Sequence, residues 1–226
     1  MHIEHLHEWN ISPAEAIALQ KELATQLDYQ RPLDLNSIGL VAGVDVSVKT
    51  DVVTGATTSQ AAVVVLSYPN MKVVDTALAQ MPTPFPYVPG LLSFREGPVL
   101  ETAFAKLETE PDVLIFDGMG RAHPRRIGIA SHMGLWLQKP TIGCGKTLLI
   151  GKYAEPPNER GAYSDLIDRN EVIGAVLRTK VNVKPVYISV GHLADLATSV
   201  ELVMGCTSKY RLPEPIRAAH NAAGAF

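Results

Sequence analysis

The chain has 226 residues, a length that most often folds as one domain, and 46% of them are hydrophobic, enough to bury a substantial core. No run approaches the ~18–20 consecutive apolar residues of a membrane span, and the polar start Met1 to Asn10 lacks the basic and apolar regions of a signal peptide, so a cytoplasmic protein with no membrane partner is expected. A net charge of -3 argues against a nucleic-acid partner, yet Gly118 to Ala154 holds six Lys or Arg and no Asp or Glu, leaving 14 basic and 23 acidic residues elsewhere. Either a localised phosphate-binding face or an ordinary solvated surface fits that distribution.

Ser12-Pro13-Ala14-Glu15 reads as a capping box opening a helix to about Leu27. Three strand-like runs follow: Leu40 to Lys49, Ala61 to Tyr68 and Met71 to Ala79. The polar link Thr50 to Ser59 and the turn signal Tyr68-Pro69-Asn70 make them an antiparallel meander. A Pro-rich segment (Pro82, Pro84, Pro86, Pro89) leads into helical sequence broken at Gly97-Pro98 and resuming to about Glu108. Asp112 to Asp117 is a short apolar run ending in a carboxylate, typical of a buried strand. A helix at Ile127 to Leu137, a strand at Pro140 to Gly143, strands near Val172 to Arg178 and Val186 to Val190, and helices near Leu193 to Met204 and Pro213 to Ala223 complete the reading.

With no repeat or long linker, residues 1–226 are expected to form a single domain. A right-handed crossover after the meander sets the fourth strand parallel to the first. The expected fold is therefore α/β: a ribonuclease-H-like mixed sheet of order 3-2-1-4-5 flanked by helices. Cys144 and Cys206 are few and far apart, so they are expected to be core residues rather than a zinc or disulfide pair. Trp9 and Trp136 are read as core residues too.

Strand period places Val44, Val46 and Val48 on one face and Gly43, Asp45 and Ser47 on the other. Asp45 is thus a charge inside an apolar strand, where it needs compensation, either by a salt bridge, by an edge position, or by a bound cation. Asp117 ends the fourth strand before Gly118-Met119-Gly120. That is where open α/β sheets place their chemistry, although Asp-Gly is also a common turn. The strand order sets Asp45 beside Asp117, and two adjacent carboxylates call for a shared cation. Oxygen ligands favour a hard ion such as magnesium. Glu96, on the crossover helix, is a third candidate ligand, direct or through water. Such an ion serves phosphodiester chemistry.

The motifs around these acids are more specific. Gly43-Val44-Asp45-Val46-Ser47, Pro86 through Glu96 (PYVPGLLSFRE), Phe116-Asp117-Gly118, Ala122 through His132 (AHPRRIGIASH) and Tyr210 through Pro215 (YRLPEP) resemble the endonuclease V family, in order and spacing from about Leu40 to His220. The resemblance implies a magnesium-dependent endonuclease, with manganese as a substitute ion and no organic cofactor, acting as a monomer. Its partner would be DNA containing deoxyinosine, or inosine RNA. It would cut the second phosphodiester bond 3′ to the lesion and leave 3′-OH and 5′-phosphate, in DNA repair. Asp45, Glu96 and Asp117 would form the metal site, with Lys146 (in Gly143-Cys144-Gly145-Lys146) and His220 completing the catalytic set. His132 and His192 match family positions and are read as structural.

Pro86 and Pro89 restrict the backbone on both sides of Tyr87, so the ring can serve as a wedge that replaces lost base stacking. Packing of Tyr87 under the Pro-rich loop is the plainer alternative. A base pocket is expected among Gly90, Leu92, Gly118 and Gly120, where backbone can approach a purine closely. His123, Arg125 and Arg126 are candidates for phosphate contacts or, equally, for shaping the loop. Two positions depart from the family pattern: Met119 stands where a polar residue is usual, and Gly145 makes the lysine loop Cys-Gly-Lys. An inosine-specific endoribonuclease, another ribonuclease-H-like metal nuclease, a non-catalytic damage-binding protein and a base-excision glycosylase are the competing readings.

Overall fold

The computed structural model describes residues 1–225. Helix α1 (Pro13–Leu23) opens as expected: the Ser12 hydroxyl accepts from the Glu15 N–H and the Glu15 carboxylate accepts from the Ser12 N–H. It then tightens into a 3-10 turn over Ala24–Gln26, short of Leu27. Strands β1 (Leu40–Thr50), β2 (Thr57–Ser67) and β3 (Val73–Pro82) form the meander. Helix α2 (Leu92–Ala105) carries the chain over to β4 (Val113–Phe116), which runs parallel to β1. Next come α3 (Ile129–Leu137) and β5 (Thr141–Gly145), parallel to β4. Strands β6 (Tyr163–Asp168), β7 (Glu171–Leu177) and β8 (Val186–His192) precede α4 (Leu196–Gly205) and α5 (Glu214–Gly224).

The eight strands form one mixed sheet of order β3-β2-β1-β4-β5-β8-β7-β6. The expected 3-2-1-4-5 core is present, and β8, β7 and β6 extend it antiparallel from β5. Strand β6 was not expected, because only Leu166 within it is fully buried and the rest reads as polar edge. Its partner β7 follows through Arg169 and Asn170, both at positive φ, as a two-residue hairpin turn requires.

Helix α2 differs from expectation in running unbroken through Gly97-Pro98. The lost backbone hydrogen bond is outweighed by burial of Phe94, Val99, Leu100 and Phe104 along it. Gly97 is needed for packing, since a Cβ there would lie 2.3 Å from the Trp9 ring.

Helices α2 and α3 cover one face of the sheet, over Val44, Val63, Leu114 and Phe116; α4 and α5 cover the other, over Val41, Ile115, Ile142 and Ile188. Burial on both faces explains why the central strands read as continuous apolar runs. Cys144 and Cys206 are both buried and free. Among the described residues no helix is long and apolar enough to cross a membrane.

Gly43 sets how closely α5 approaches β1, for a Cβ there would fall 1.8 Å from the Pro215 carbonyl oxygen. Backbone cannot yield as a side-chain tip does. Gly43→Ala is expected to destabilise the fold by about 1–3 kcal/mol and to lift α5, and His220 with it, off β1. A denaturant midpoint together with the loss of the His220–Asp45 hydrogen bond by NMR checks both.

The N-terminal segment closes the α2–α3 side. His7 Nδ1–H donates to the Glu8 carbonyl at 3.0 Å, so its Nε2 accepts, both from His132 at 2.7 Å and from the Trp136 indole at 3.3 Å. Trp9 stacks on Trp136 at 4.5 Å between centroids. His132 is structural, as expected, and so is His192, whose Nδ1 accepts from the Asp28 N–H at 3.2 Å. Burial holds His7 below its ordinary range and pushes His132 down to about 3, so both stay neutral. At these two histidines the unfolded chain therefore binds more protons than the folded one below about pH 6.5. Their contribution to stability is expected to be full above that value and to fall with pH by about 1.4 kcal/mol per pH unit through His132 alone, while Glu96, pushed up to about 8, contributes with the opposite sign below that value. Urea unfolding of wild type and His132→Gln at pH 7 and pH 5 isolates the His132 part by difference: relative to wild type, the variant should gain stability at pH 5. An equal slope in that variant would remove His132 as the cause.

Candidate active site

The C-terminal ends of β1, β4 and β5 lie side by side, the usual position of chemistry in an α/β sheet. Asp45 lies on β1, on the face turned toward α5. The Asp117 N–H, just past β4, donates to the Val44 carbonyl at 2.9 Å and so fixes Asp117 beside Asp45. Lys146, just past β5, forms an ion pair with Asp117. From α5, His220 Nδ1 lies 2.7 Å from Asp45 Oδ2. Ligand atoms of Asp45, Asp117 and His220 all fall within 4.8 Å of one another, a set able to hold a metal ion.

Burial and then the neighbouring Asp117 charge hold the Asp45 carboxyl above the usual range. Glu96, on α2, lies outside that three-residue set but close enough to feel it. Burial, followed by the Asp45 and Asp117 charges, pushes it up to about 8. It therefore keeps a proton at neutral pH, which a cation at the cluster would displace. Lys146 balances one of the two aspartates, and the negative charge that remains beside a protonated Glu96 is what a divalent cation satisfies.

A pocket of about 350 Å³ opens beside Asp117 and Lys146. Gly90, Leu92 and Gly118, three of the four residues among which a base pocket was expected, line it, together with Tyr87 and His123. Tyr87 is 74% exposed at its rim, so it is held out and not packed under the loop. Gly120 stands apart from the pocket: its N–H donates to Ser189 Oγ at 2.9 Å, and a Cβ there would lie 2.1 Å from the Val190 carbonyl oxygen. Its smallness serves close packing against β8. Met119 and Gly145, the two departures from the family pattern, touch each other. The Met119 thioether fills the space a Cβ at Gly145 would need, its Cε being 2.3 Å from that position. Each therefore accommodates the other, as an apolar wall of the pocket.

The cluster of arginines before α3 is spent inside the protein. Arg121 pairs with Glu171 and lies over the Tyr29 ring. Arg126, at φ 61°, pairs with Glu171 at 2.7 Å and Asp168 at 2.9 Å. Arg125 donates to the Gly90 carbonyl at 2.7 Å and to the Gln20 side-chain oxygen at 2.5 Å. Because His123 Nδ1 accepts from the Arg125 N–H, its Nε2–H donates to the Gly90 carbonyl at 3.1 Å. Burial, then the Arg125 charge, pushes His123 down to about 4, so it is neutral. His123, Arg125 and Arg126 thus each make hydrogen bonds within the protein around this loop.

Sequence reasoning overlooked Gln20, which also donates to the Gly90 carbonyl at 3.1 Å. Its signal was there: Ala16, Gln20 and Leu23 share the buried stripe of α1, where a Gln is out of place without a partner. Arg95, which donates to the Phe85 carbonyl at 2.9 Å, was likewise missed.

A family model describing Endonuclease V matches residues 21–221. The Endonuclease V of Methanothrix thermoacetophila is 47% identical over 220 residues, covering 97% of this chain and 94% of that protein. The crystal structure of the Bacillus subtilis Endonuclease V superposes with a TM-score of 0.95 at 33% identity, covering 100% of this chain and 96% of that one. A Ciona intestinalis Endonuclease V variant, solved with a 23mer DNA containing an inosine followed by a ribo-adenosine, superposes at 0.79 with 30% identity, covering 95% and 98%. With the sheet, the acidic cluster and the pocket wall all in place, the chain belongs to the Endonuclease V family of nucleic-acid hydrolases.

Proposed function

We propose that the protein is a magnesium-dependent endonuclease that recognises inosine and hydrolyses the second phosphodiester bond 3′ to it, leaving 3′-OH and 5′-phosphate. The observation that carries this reading is the Asp45–Asp117–His220 set standing beside a glycine-lined pocket with an exposed tyrosine at its rim. The inosine-containing DNA bound by the Ciona relative supports the choice of lesion. Asp45 and Asp117 would hold the ion, with Glu96 joining directly or through water and His220 adjacent. Bound there, a divalent cation activates water and stabilises charge on a phosphoryl oxygen.

The chain's own groups do the rest. Lys146 presents a fixed positive charge to the phosphate. The pocket takes the extruded base, and Tyr87 fills the stack that the base leaves. Residues 1–226 act as one domain and as a monomer. The test uses purified protein with labelled strands carrying one inosine, in DNA and in RNA, with magnesium, with manganese and with chelator. A metal-dependent nick beyond the lesion is expected. Cutting in chelator, release of free base, or binding without a cut would each overturn the reading. Relative rates on the two strands assign DNA or RNA.

A further inference from the structure

The tyrosine loop stands on two pinned feet. At its start, Arg95 from α2 donates to the Phe85 carbonyl at 2.9 Å, and Phe85 is itself buried. At its end, Gly90 adopts φ +80° and its carbonyl receives three donors: Gln20 Nε2 at 3.1 Å, His123 Nε2 at 3.1 Å and Arg125 Nη2 at 2.7 Å. Three donors from two separate segments, Gln20 on α1 and His123 with Arg125 before α3, fix this carbonyl more tightly than a single turn bond would.

Gln20 is the centre of this clamp. It is fully buried on α1, and its side-chain oxygen accepts from Arg125 Nε at 2.5 Å while its nitrogen donates to Gly90. One amide therefore orients both the guanidinium and the carbonyl that the guanidinium holds. Among the described residues the Gln20 side chain hydrogen-bonds to Gly90 and Arg125 and to none of the acids, and it is not among the residues lining the pocket.

We propose that Gln20 is a positioning residue for lesion recognition: through Gly90 and Arg125 it holds the Tyr87 loop rigid, so that the ring enters a duplex without first having to be ordered. This rests on the inosine-nuclease reading. Rigidity matters where insertion must compete with base stacking, and matters little where the strand is already open. A fixed wedge loses no conformational entropy on insertion, whereas a loosened one must be ordered at that moment.

The test compares kcat/KM on one inosine in a duplex with the same inosine in a single strand. For Gln20→Met, which keeps the volume and removes both hydrogen bonds, the duplex-to-single-strand ratio should fall about tenfold. Gln20→Glu, which keeps the acceptor for Arg125 and loses the donor to Gly90, should fall about threefold. In a Tyr87→Ala background, adding Gln20→Met should change the ratio less than about twofold, because the clamp acts only through that ring. An unchanged ratio in Gln20→Met, or effects of Gln20→Met and Tyr87→Ala that multiply, would overturn the clamp. Should the wild type fail to cut at inosine, the functional reading falls separately. Amide exchange over residues 85–91 then decides the clamp: faster exchange confined to that segment in Gln20→Met upholds it, and wild-type protection ends it.

Discussion

Asp117→Asn is expected to lower cleavage by about 10³-fold or more, since losing several kcal/mol of cation-borne charge stabilisation corresponds to that factor. Asp117 lies at the centre of the site, within 4.8 Å of both Asp45 and His220 by ligand atoms and ion-paired to Lys146. Removing its charge also relieves the repulsion that raises Asp45, so the metal-free variant should be no less stable than the wild type. Thermal unfolding separates the two effects. Wild-type Tm should rise with added magnesium, because an ion that binds only the folded state stabilises it by mass action. In Asp117→Asn the midpoint in chelator should be unchanged or higher, and magnesium should add little. A variant that retains both the magnesium-induced rise and activity would remove Asp117 from the metal site.

Lys146→Met is expected to lower single-turnover cleavage by about 10²–10³-fold, the range found when one preorganised charge or donor aimed at a developing anion is lost. Its effect on the metal should be opposite to that of Asp117→Asn. Lys146 is a fixed cation already paired with Asp117, so it competes with an incoming ion for that carboxylate. Removing it should leave magnesium affinity equal or tighter while slowing the chemical step. Metal titration followed by Tm, set against single-turnover rates, checks both directions. Weaker magnesium binding with normal chemistry would make Lys146 a support for the ion and not for the phosphate.

Charge counting along the chain illustrates how far sequence reaches. Six basic residues without an acid between Gly118 and Ala154 could have formed a phosphate-binding face. In the fold, Arg121 and Arg126 turn to Glu171 and Asp168 on the β6–β7 hairpin, Lys139 pairs with Glu110 at 3.0 Å, and Lys146 pairs with Asp117. Four of the six are thus paired with acids from outside that stretch, and Arg125 is held by the neutral Gln20 and Gly90. Tyr87, by contrast, flanked by two prolines, presents itself to solvent as the sequence led one to expect.

The acids at Asp45 and Asp117, the capping box at Ser12 and the strands themselves were legible in the sequence because each is written in a local pattern, and the handedness of the crossover then ordered the strands 3-2-1-4-5. Period two puts Asp45 on the small-residue face of β1, and an apolar run ending in Asp-Gly puts Asp117 at a strand end. Such patterns arise from backbone sterics and hydrogen bonding over a few residues. What only the tertiary structure decided lies between segments far apart: His220 against Asp45 across 175 residues, Gln20 against Gly90 across 70, and Met119 in the space left by Gly145. No local rule encodes those contacts. They follow from how closely packed elements can approach, as at Gly43 beneath Pro215. The acidic pair was therefore readable in advance from its own strands and His220 through the family resemblance, whereas the clamp on the tyrosine loop emerged only when the helices were set on the sheet.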